Sequence, residues 1–389
     1  MAELQAAPLI EQAVETSGLS DFGGDEWREA LDVLVDSLNR EGRLNELGEA
    51  IFSGEVVAYL TSRLGVVEER RVHPDIANGP VTPPIVIVGQ GRTGTTILFD
   101  LLAQDPATRV PLTWEVDLPC PPPETTTYDT DPRIEQVDAT ISGVDLILPE
   151  FRSMHPMGAR LAQECVRITS LDFRSFIFPT QYRVPSYARW LLDDADMASA
   201  YRFHRTFLQH LQSRHPAERW VVKSPGHIWH LGDLLAEYPD ALLVQTHRDP
   251  LRIIASLGSL VPTLRSLASS DTPVPEASAE FADYIIEGLD RSLEARLDGT
   301  VPADQVVDTQ FASFMADPLA TIATIYDRLG LELTAEAEGA MRSFLAAHPQ
   351  DEHGGHRYTF AATGLDQGEL RERTKAYQDH FEVPSEPLP

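Results

Sequence analysis

The sequence predicts an α/β fold built on a doubly wound parallel sheet, with helices added before it and within it. Ile85–Val88 is a continuous β-branched run, which is typical of a strand buried on both faces of a parallel sheet. The same order of strand and then helix recurs at residues 220–236, 241–260 and 306–329, and residues 109–114 form a weaker strand candidate. Strands that alternate with helices predict a doubly wound sheet, whose ligands bind beyond the carboxyl ends of the strands.

Two largely helical segments accompany the predicted sheet. Residues 1–80 carry apolar side chains at helical spacing, as from Trp27 to Leu38, and predict an α-helical N-terminal extension. Residues 81–389 then form the α/β domain, within which residues 131–215 are helical and rich in aromatic side chains. This insertion is a candidate acceptor pocket, and a helical layer that covers the sheet would explain its aromatic residues equally well.

The composition is that of a globular protein with a strongly acidic surface. The 389 residues are 42% hydrophobic and carry a formal net charge of −29, which excludes a disordered chain and disfavours nucleic acids and anionic membranes as partners. No apolar run approaches the roughly 20 residues that span a bilayer, and no signal peptide is evident, so we expect a cytoplasmic location. Cys120 and Cys165 lack the spacing of a redox motif or zinc ribbon, and we expect both to be buried.

The glycine-rich segment 89–96 stands between the first strand and a helix, and several interpretations compete for it. Its glycine spacing is that of a nucleoside-triphosphate loop, but Thr95 stands where that loop needs its lysine, which argues against ATP or GTP hydrolysis. The G-x-G-x-x-G pattern that begins at Gly89 also matches a Rossmann dinucleotide site, with Glu115 about 20 residues on as a ribose-binding acid. A glycine-rich turn without a ligand is a further alternative.

The same segment is suited to a phosphosulfate group. Backbone N–H groups at a helix N-terminus bind anions. Arg92 and the hydroxyls of Thr95 and Thr96 add charge-assisted donors for sulfate oxygens. Arginine and lysine can supply the counter-charge, so this interpretation requires no Mg²⁺.

Three motifs follow predicted strands in chain order. Residues 92–96 read R-x-G-T-T after the first strand, and residues 220–225 end a later strand with Lys223. Residues 247–250 read H-R-D-P, and Ser256 lies eight residues after the arginine of that motif. In this combination the chain resembles the sulfotransferases that use 3′-phosphoadenosine 5′-phosphosulfate (PAPS), in particular the bacterial members, and a P-loop-like fold is implied.

The resemblance covers about residues 81–330 and implies a role for the matching residues. Arg92 and Lys223 would stabilise the sulfuryl group and the departing phosphate, while Arg248 and Ser256 would hold the 3′-phosphate. The residues implied to bind PAPS are Gly91, Arg92, Thr93, Gly94, Thr95, Thr96, Arg248 and Ser256.

The chain departs from the small cytosolic sulfotransferases in two ways. Arg92 stands where those enzymes carry a lysine, and their C-terminal R-K-G-x-x-G segment has no clear copy here. Residues 354–358 are a candidate replacement. The N-terminal helices are similar to those of actinobacterial members.

The resemblance also implies a base that takes the proton of the acceptor. Trp114-Glu115, at the end of the second predicted strand, matches the position of the catalytic acid in bacterial members, so Glu115 is the first choice. A structural ion pair is the alternative role for Glu115. His155, in the aromatic insertion, is the second choice of base, and Glu164 is a further polar residue there. Both fit a hydrogen-bonded core position as well.

The sequence therefore predicts a PAPS-dependent sulfotransferase that acts on a hydroxyl, or as a second choice an amine, of a small or lipid-like acceptor. An NAD(P)-dependent Rossmann oxidoreductase and a non-catalytic nucleotide-binding protein stay open as alternatives. We expect no metal, because the pairs His227/His230 and His353/His356 have only loosely metal-like spacing and no carboxylates or cysteines at matching positions. The sequence does not indicate the oligomeric state.

Overall fold

The computed structural model describes residues 3–147, 157–216, 218–348 and 358–389. Within these ranges the chain forms one five-stranded sheet in the order β2-β3-β1-β4-β5, and all neighbouring pairs are parallel. The strands are Ile85–Val88 (β1), Thr108–Arg109 (β2), Arg219–Lys223 (β3), Leu242–His247 (β4) and Val306–Gln310 (β5). Since the chain winds from the central β1 to both sides, the predicted doubly wound α/β fold is confirmed.

The helices account for most of the remaining described chain. The α-helices are Ala6–Ser17, Glu26–Glu41, Glu46–Val72, Asp75–Asn78, Thr95–Leu102, Thr113–Asp117, Pro132–Ile147, Cys165–Thr169, Ile177–Gln181, Pro185–Asp193, Met197–Gln212, Leu231–Glu237, Pro250–Arg265, Val274–Leu297, Phe311–Ala316, Pro318–Arg328, Ala335–Ala347 and Gln367–His380. Single 3₁₀ turns occur at Tyr128–Thr130, Ser170–Asp172, Pro225–Trp229 and Phe360–Thr363. The first four α-helices lie in the segment predicted to be helical.

The chain divides into two compact units. The helical unit comprises Met1–Val81, Pro111–Pro216 and Thr263–Thr272, and the sheet unit comprises Thr82–Val110, Ala217–Pro262 and Pro273–Pro389. The sequence analysis divides the chain into an N-terminal extension and a domain whose insertion lies on the acceptor side. This division stays a prediction.

The sheet unit is built around β1, because every residue of this strand is completely buried. Ile85 pairs with Val221 of β3 on one side and with Leu242 of β4 on the other. β-Branched and other apolar side chains on both faces suit a strand that is covered by helices on each side. The polar residues that follow β1, β3 and β4 therefore start from one edge of the sheet.

The helical unit is organised around the long helix Glu46–Val72. Its buried face includes Phe52, whose ring meets Tyr182 edge-on at 5.5 Å between centroids, and Tyr59, which meets Phe178 at 6.1 Å. By length and composition this helix could also cross a bilayer, which the sequence prediction did not anticipate. Core helices of globular proteins pass the same test, and the cytoplasmic location stays a prediction.

The two cysteines are free thiols in the helical unit. Cys165 is buried, as the sequence predicts, whereas Cys120 is half-buried. The Sγ of Cys120 lies 3.8 Å from Nε2 of His210, so this thiol sits in a partly polar environment.

Two glycines of the helix Glu46–Val72 predict opposite effects of the same substitution. A Cβ on buried Gly48 would collide with the backbone of Ala268, whereas a Cβ on exposed Gly54 would meet nothing within 4 Å. We expect Gly48→Ala to lower the free energy of unfolding by about 1–3 kcal/mol through overpacking. Gly54→Ala is the matched control and should raise it by about 0.5–1 kcal/mol. Denaturant unfolding followed by circular dichroism measures both, and equal effects would contradict the close packing at Gly48.

Candidate active site

The loop after β1 is held tightly against the end of β4. Gly89 has a φ of +127°, and a Cβ there would lie 2.7 Å from the Thr246 carbonyl oxygen and closer still to the Thr246 hydroxyl. The hydroxyl of Thr93 is bonded at 2.6 Å both to the Gln90 carbonyl oxygen and to the Thr246 hydroxyl. Only glycine fits this approach at position 89, so the loop is fixed relative to β4.

Two further residues of the loop, Arg92 and Gly94, also have positive φ values, of 70° and 86°. Gly94 directly precedes the helix Thr95–Leu102, and a glycine adopts this conformation without strain. Arg92 adopts it at a cost, and its carbonyl oxygen accepts a 2.9 Å hydrogen bond from Nη1 of Arg248. The loop therefore leads the backbone into a helix N-terminus, which favours a bound anion.

Arg92, Arg248 and Ser256 form one cluster in the sheet unit. Nε of Arg92 donates to the Ser256 hydroxyl at 3.0 Å, and Ser256 is almost completely buried. The guanidinium of Arg248 lies 3.8 Å from the ring centroid of Phe311. Burial lowers the pKa of Arg92 from its ordinary value, and the neighbouring Arg248 cation acts in the same direction. Desolvation and the proximity of a second cation both make the charged form of Arg92 costly. An anion bound beside Arg92 and Arg248 would offset this cost.

Lys223 is the last residue of β3 and lies beside β1 in the sheet. It pairs in register with Ile87, and the backbone N–H of Ser224 donates to the Ile87 carbonyl oxygen. Lys223 is only 2% exposed, and its Nζ lies 5.8 Å from the ring centroid of Phe99. The predicted lysine thus stands at the same edge of the sheet as the loop after β1.

A cavity of about 350 Å³ opens next to the arginine cluster. It is lined by Ala255, Gly258, Ser259, Val274, Tyr358, Thr359, Ala362 and Thr363. Arg252 faces the ring of Tyr358 at 5.9 Å, and the Tyr358 phenol acts electrostatically on Arg92. Small-molecule sites are cavities of this size or larger, lined mainly by apolar groups with a few polar ones. Tyr358 also belongs to the segment suggested above as a replacement motif, whose residues 354–357 lie outside the described chain.

Four further charged residues of this site received no role in the sequence analysis, although one of them, Asp249, belongs to the H-R-D-P motif. Asp249 is fully buried and accepts hydrogen bonds of 2.6 and 2.7 Å from the guanidinium of Arg371. Glu386 accepts bonds of 2.9 and 3.0 Å from Nε and Nη2 of Arg248, and its Oε2 lies 3.6 Å from Nε of Arg252. Arg252 stands one helical turn before Ser256, which is a usable sequence signal. Glu386 is 138 residues from Arg248, and nothing in the sequence connects the two.

The environment of Glu115 differs from the expected one. β2 ends at Arg109, because residues 111–112 pair with residues 162–163 instead of continuing along β3, and Glu115 lies in the helix Thr113–Asp117 that follows. Glu115 is completely buried, and its Oε2 accepts a 2.8 Å hydrogen bond from the backbone N–H of Leu112. The carboxylate therefore closes the first turn of its own helix in the helical unit.

The remaining polar residues singled out from the sequence lie partly in the insertion and partly elsewhere in the chain. His155 lies outside the described residues, as do His353 and His356. Glu164 precedes the helix Cys165–Thr169 at its N-cap position. Burial lowers the pKa of His230 to about 3, so this imidazole is neutral at physiological pH. Within the described ranges, no three His, Cys, Asp or Glu side chains gather into a metal-binding group, and the absence of a metal stays a prediction.

The sequence model described as "Sulfotransferase family" matches residues 83–335, which include the sheet and the arginine cluster. The chain belongs to the sulfotransferase family. Among solved structures it is similar to sulfotransferase STF1 from Mycobacterium tuberculosis H37Rv, with a TM-score of 0.86 and 32% identity over 96% of this chain and 99% of that one. Sulfotransferase STF9 from Mycobacterium avium gives a TM-score of 0.88 and 32% identity over 98% and 97% of the two chains.

A curated relative carries a more specific name. The omega-hydroxy-beta-dihydromenaquinone-9 sulfotransferase Stf3 of Mycobacterium bovis is 24% identical over 276 residues, which are 68% of this chain and 67% of that protein. Family membership confirms the predicted enzyme class and the P-loop-like fold. It also removes the Rossmann oxidoreductase and the non-catalytic binding protein as interpretations.

Asp100 gives this sulfotransferase a pH-dependent feature next to Lys223. Burial raises the pKa of Asp100 to about 6, and the nearby Lys223 and His348 counteract this effect. A carboxyl whose pKa is higher in the folded than in the unfolded chain destabilises the fold once it is ionised. The destabilisation sets in as pH rises from about 4 to about 6 and is complete above that window.

We therefore expect Asp100→Asn to raise the free energy of unfolding near pH 7.5 by about 1–3 kcal/mol. The gain should shrink as pH falls through about 6 and vanish only below about pH 3, where Asp100 is neutral in both the folded and the unfolded chain. Denaturant unfolding of both proteins at several pH values measures this. A loss of stability in Asp100→Asn near pH 7.5 would mean instead that the attraction to Lys223 outweighs the cost of burial.

Proposed function

We propose that this sulfotransferase uses PAPS as its donor and transfers the sulfuryl group to a hydroxyl of a small or lipid-like acceptor. The observation that carries the proposal is the convergence of the loop before a helix N-terminus with buried or half-buried cations at the ends of adjacent parallel strands. The loop 89–96 follows β1, Lys223 ends β3, and Arg248 follows β4. Ligands of doubly wound sheets bind at this edge, where neighbouring connections diverge to opposite sides.

The proposed donor site uses the phosphate chemistry of these groups. The amides from Gly91 to Thr96 hold the 5′-phosphosulfate at the helix N-terminus, with Arg92 beside them. Arg248 and Ser256 hold the 3′-phosphate. Arg92 connects the two residues, because it is hydrogen-bonded to both. The cavity beside Tyr358 supports a place for the purine, because its apolar walls lie next to the same arginine cluster.

The proposed reaction is an in-line displacement at sulfur. The acceptor oxygen forms a bond to sulfur while the bond between sulfur and the 5′-phosphate oxygen breaks, which releases adenosine 3′,5′-bisphosphate. Charge develops on the leaving oxygen and spreads over the sulfuryl oxygens, so buried cations are the main catalytic requirement. Arg92 and Lys223 supply these cations, and no electron acceptor or metal is needed for the balance.

The acceptor class is proposed from the relatives and from the helical unit. Stf3 is named for a hydroxylated menaquinone, a lipid with a terminal hydroxyl, and the aromatic-rich segment 131–215 of this chain suits an apolar substrate. The net charge of −29 disfavours polyanionic acceptors. A hydroxyl is preferred to an amine as the nucleophile on the same grounds.

Glu115 is the proposed base that takes the acceptor proton. It is a fully buried carboxylate on the segment that directly follows β2, and carboxylates are common general bases in enzymes. The hydrogen bond from Leu112 fixes one of its oxygens and thereby its direction. His155 is the second candidate for this role.

Donor binding can be tested at Arg248. We expect Arg248→Ala to weaken the binding of adenosine 3′,5′-bisphosphate by about 1.5–3 kcal/mol, because a charged donor to phosphate is lost. Isothermal titration calorimetry gives both affinities. Arg342→Ala is the matched control, since Arg342 is exposed and pairs with Glu338 on the surface of its helix. Equal affinities of the wild type and Arg248→Ala would remove Arg248 from the proposed site.

The base can be tested at Glu115. Glu115→Gln keeps an oxygen that can accept from the Leu112 N–H but abolishes basicity. We expect turnover with PAPS to fall by roughly 10²–10⁴-fold, the usual contribution of a general base, with little change in donor affinity. Single-turnover measurements with labelled PAPS and thermal unfolding report on chemistry and folding. If Glu115→Gln turns over normally and folded His155→Ala does not, His155 is the base and Glu115 only caps its helix.

A further inference from the structure

The C-terminal segment, residues 367–389, contacts all three residues of the H-R-D motif, which are residues 247–249. The phenol of Tyr377 is bonded to Nδ1 of His247 at 2.6 Å, and Arg371 forms its paired bonds with Asp249. Glu386 takes the remaining residue, Arg248. Neither composition nor motif predicts this attachment.

The contact between Glu386 and Arg248 has the geometry of anion recognition. Two parallel bonds of 2.9 and 3.0 Å join the carboxylate oxygens to Nε and Nη2, as in arginine–carboxylate and arginine–phosphate forks. Nη1 of the same guanidinium is used by the Arg92 carbonyl oxygen. Bidentate anion binding by Arg248 at its Nε–Nη2 edge therefore competes directly with Glu386.

We propose that the Glu386 carboxylate is an internal substitute for the 3′-phosphate on Arg248 and that donor binding displaces it. The inference rests on the proposed function, since it assigns the 3′-phosphate to Arg248. Glu386 keeps Arg248 paired and aligned before the donor arrives. It thereby lowers the affinity for ligands that carry a 3′-phosphate and leaves other ligands unaffected.

The surroundings of Glu386 allow this exchange without unfolding of the tail. Its side chain is 25% exposed, so it can rotate towards solvent. The backbone stays attached, because the Glu386 N–H donates to Asp249 and the Pro387 carbonyl oxygen accepts from Nη1 of Arg252. Arg252, whose Nε lies 3.6 Å from the departing carboxylate, then faces the incoming phosphate as well. A phosphate with up to two negative charges is favoured over a single carboxylate at such a pair of cations.

Competition between Glu386 and the 3′-phosphate predicts different behaviour for two nucleotides that differ only in that phosphate. Adenosine 3′,5′-bisphosphate must displace Glu386, whereas adenosine 5′-monophosphate lacks the 3′-phosphate and leaves the pair intact. Removing the Glu386 charge therefore strengthens binding of the first ligand and not of the second. The apparent affinity for the bisphosphate is the intrinsic affinity multiplied by the fraction of protein in which Arg248 is not paired with Glu386. The increase in affinity on removing the Glu386 charge therefore measures how stable that pair is.

The experiment is calorimetric titration of both nucleotides into the full-length wild type, Glu386→Gln and Glu382→Gln. The last variant removes one negative charge from an exposed residue of the same segment and controls for the general field. We expect Glu386→Gln to bind adenosine 3′,5′-bisphosphate roughly 3- to 30-fold more tightly. Its affinity for adenosine 5′-monophosphate, and both affinities of Glu382→Gln, should stay within about twofold of the wild type.

Three results would overturn the inference while the donor assignment survives. Unchanged binding of adenosine 3′,5′-bisphosphate by Glu386→Gln would show that Glu386 does not compete, and weaker binding would show that it orients Arg248 for the ligand. An equal increase in affinity for both nucleotides in Glu386→Gln would show that Glu386 acts only through long-range electrostatic repulsion. If the wild type and Arg248→Ala bind the bisphosphate alike, the proposed donor site itself is wrong.

Discussion

The candidate active site depends on the close approach of the loop after β1 to the end of β4. The absence of a side chain at Gly89 lets the loop pass against Thr246, and the Thr93 hydroxyl ties the two segments together. From this junction the chain reaches Arg92, whose left-handed backbone presents its carbonyl oxygen to Arg248. A larger residue at position 89 would move the loop, the helix that follows it and the arginine cluster together. Local backbone geometry thus determines where the positive charge is placed.

The protein keeps a compact cationic site within a strongly acidic chain. With a net charge of −29, the long-range field opposes any anion, but salt screens exposed charges beyond about 8–10 Å. Inside that distance the buried Lys223 and the half-buried Arg92 and Arg248 dominate, because partial or complete burial weakens screening. Their neighbours limit the cost of burial: Arg248 lies against Phe311, and Lys223 is near the half-buried Asp100. Electrostatic selection at this site is therefore a property of contacts and not of net charge.

The sequence predicted those parts of the site that are encoded locally. The β-branched run of β1, the glycine spacing of its loop and the placing of Arg248 after β4 are each visible within a few residues. Glu115 was singled out as the candidate base, which stays a prediction, but its expected place at a strand end was wrong, because the chain leaves β3 after Arg109 and pairs with residues 162–163 instead. Glu386 could not be found, since 138 residues separate it from Arg248 and a lone glutamate near a chain end has no pattern. Contacts between residues so far apart in the sequence leave no signal in the local pattern of residue types.

The attachment of the C-terminal segment follows from the problem that a buried arginine poses before its ligand binds. An unpaired guanidinium in an apolar setting is costly, and it would be drawn towards other carboxylates of this acidic chain. Pairing it with a carboxylate in the same fork geometry as a phosphate avoids both effects and keeps the donors preorganised. The pairing has to be weaker than that with the ligand, which a single negative charge on a partly exposed side chain provides. Preorganisation and competition are thus two consequences of one ion pair, because the alignment that recognises the phosphate is the alignment that Glu386 maintains.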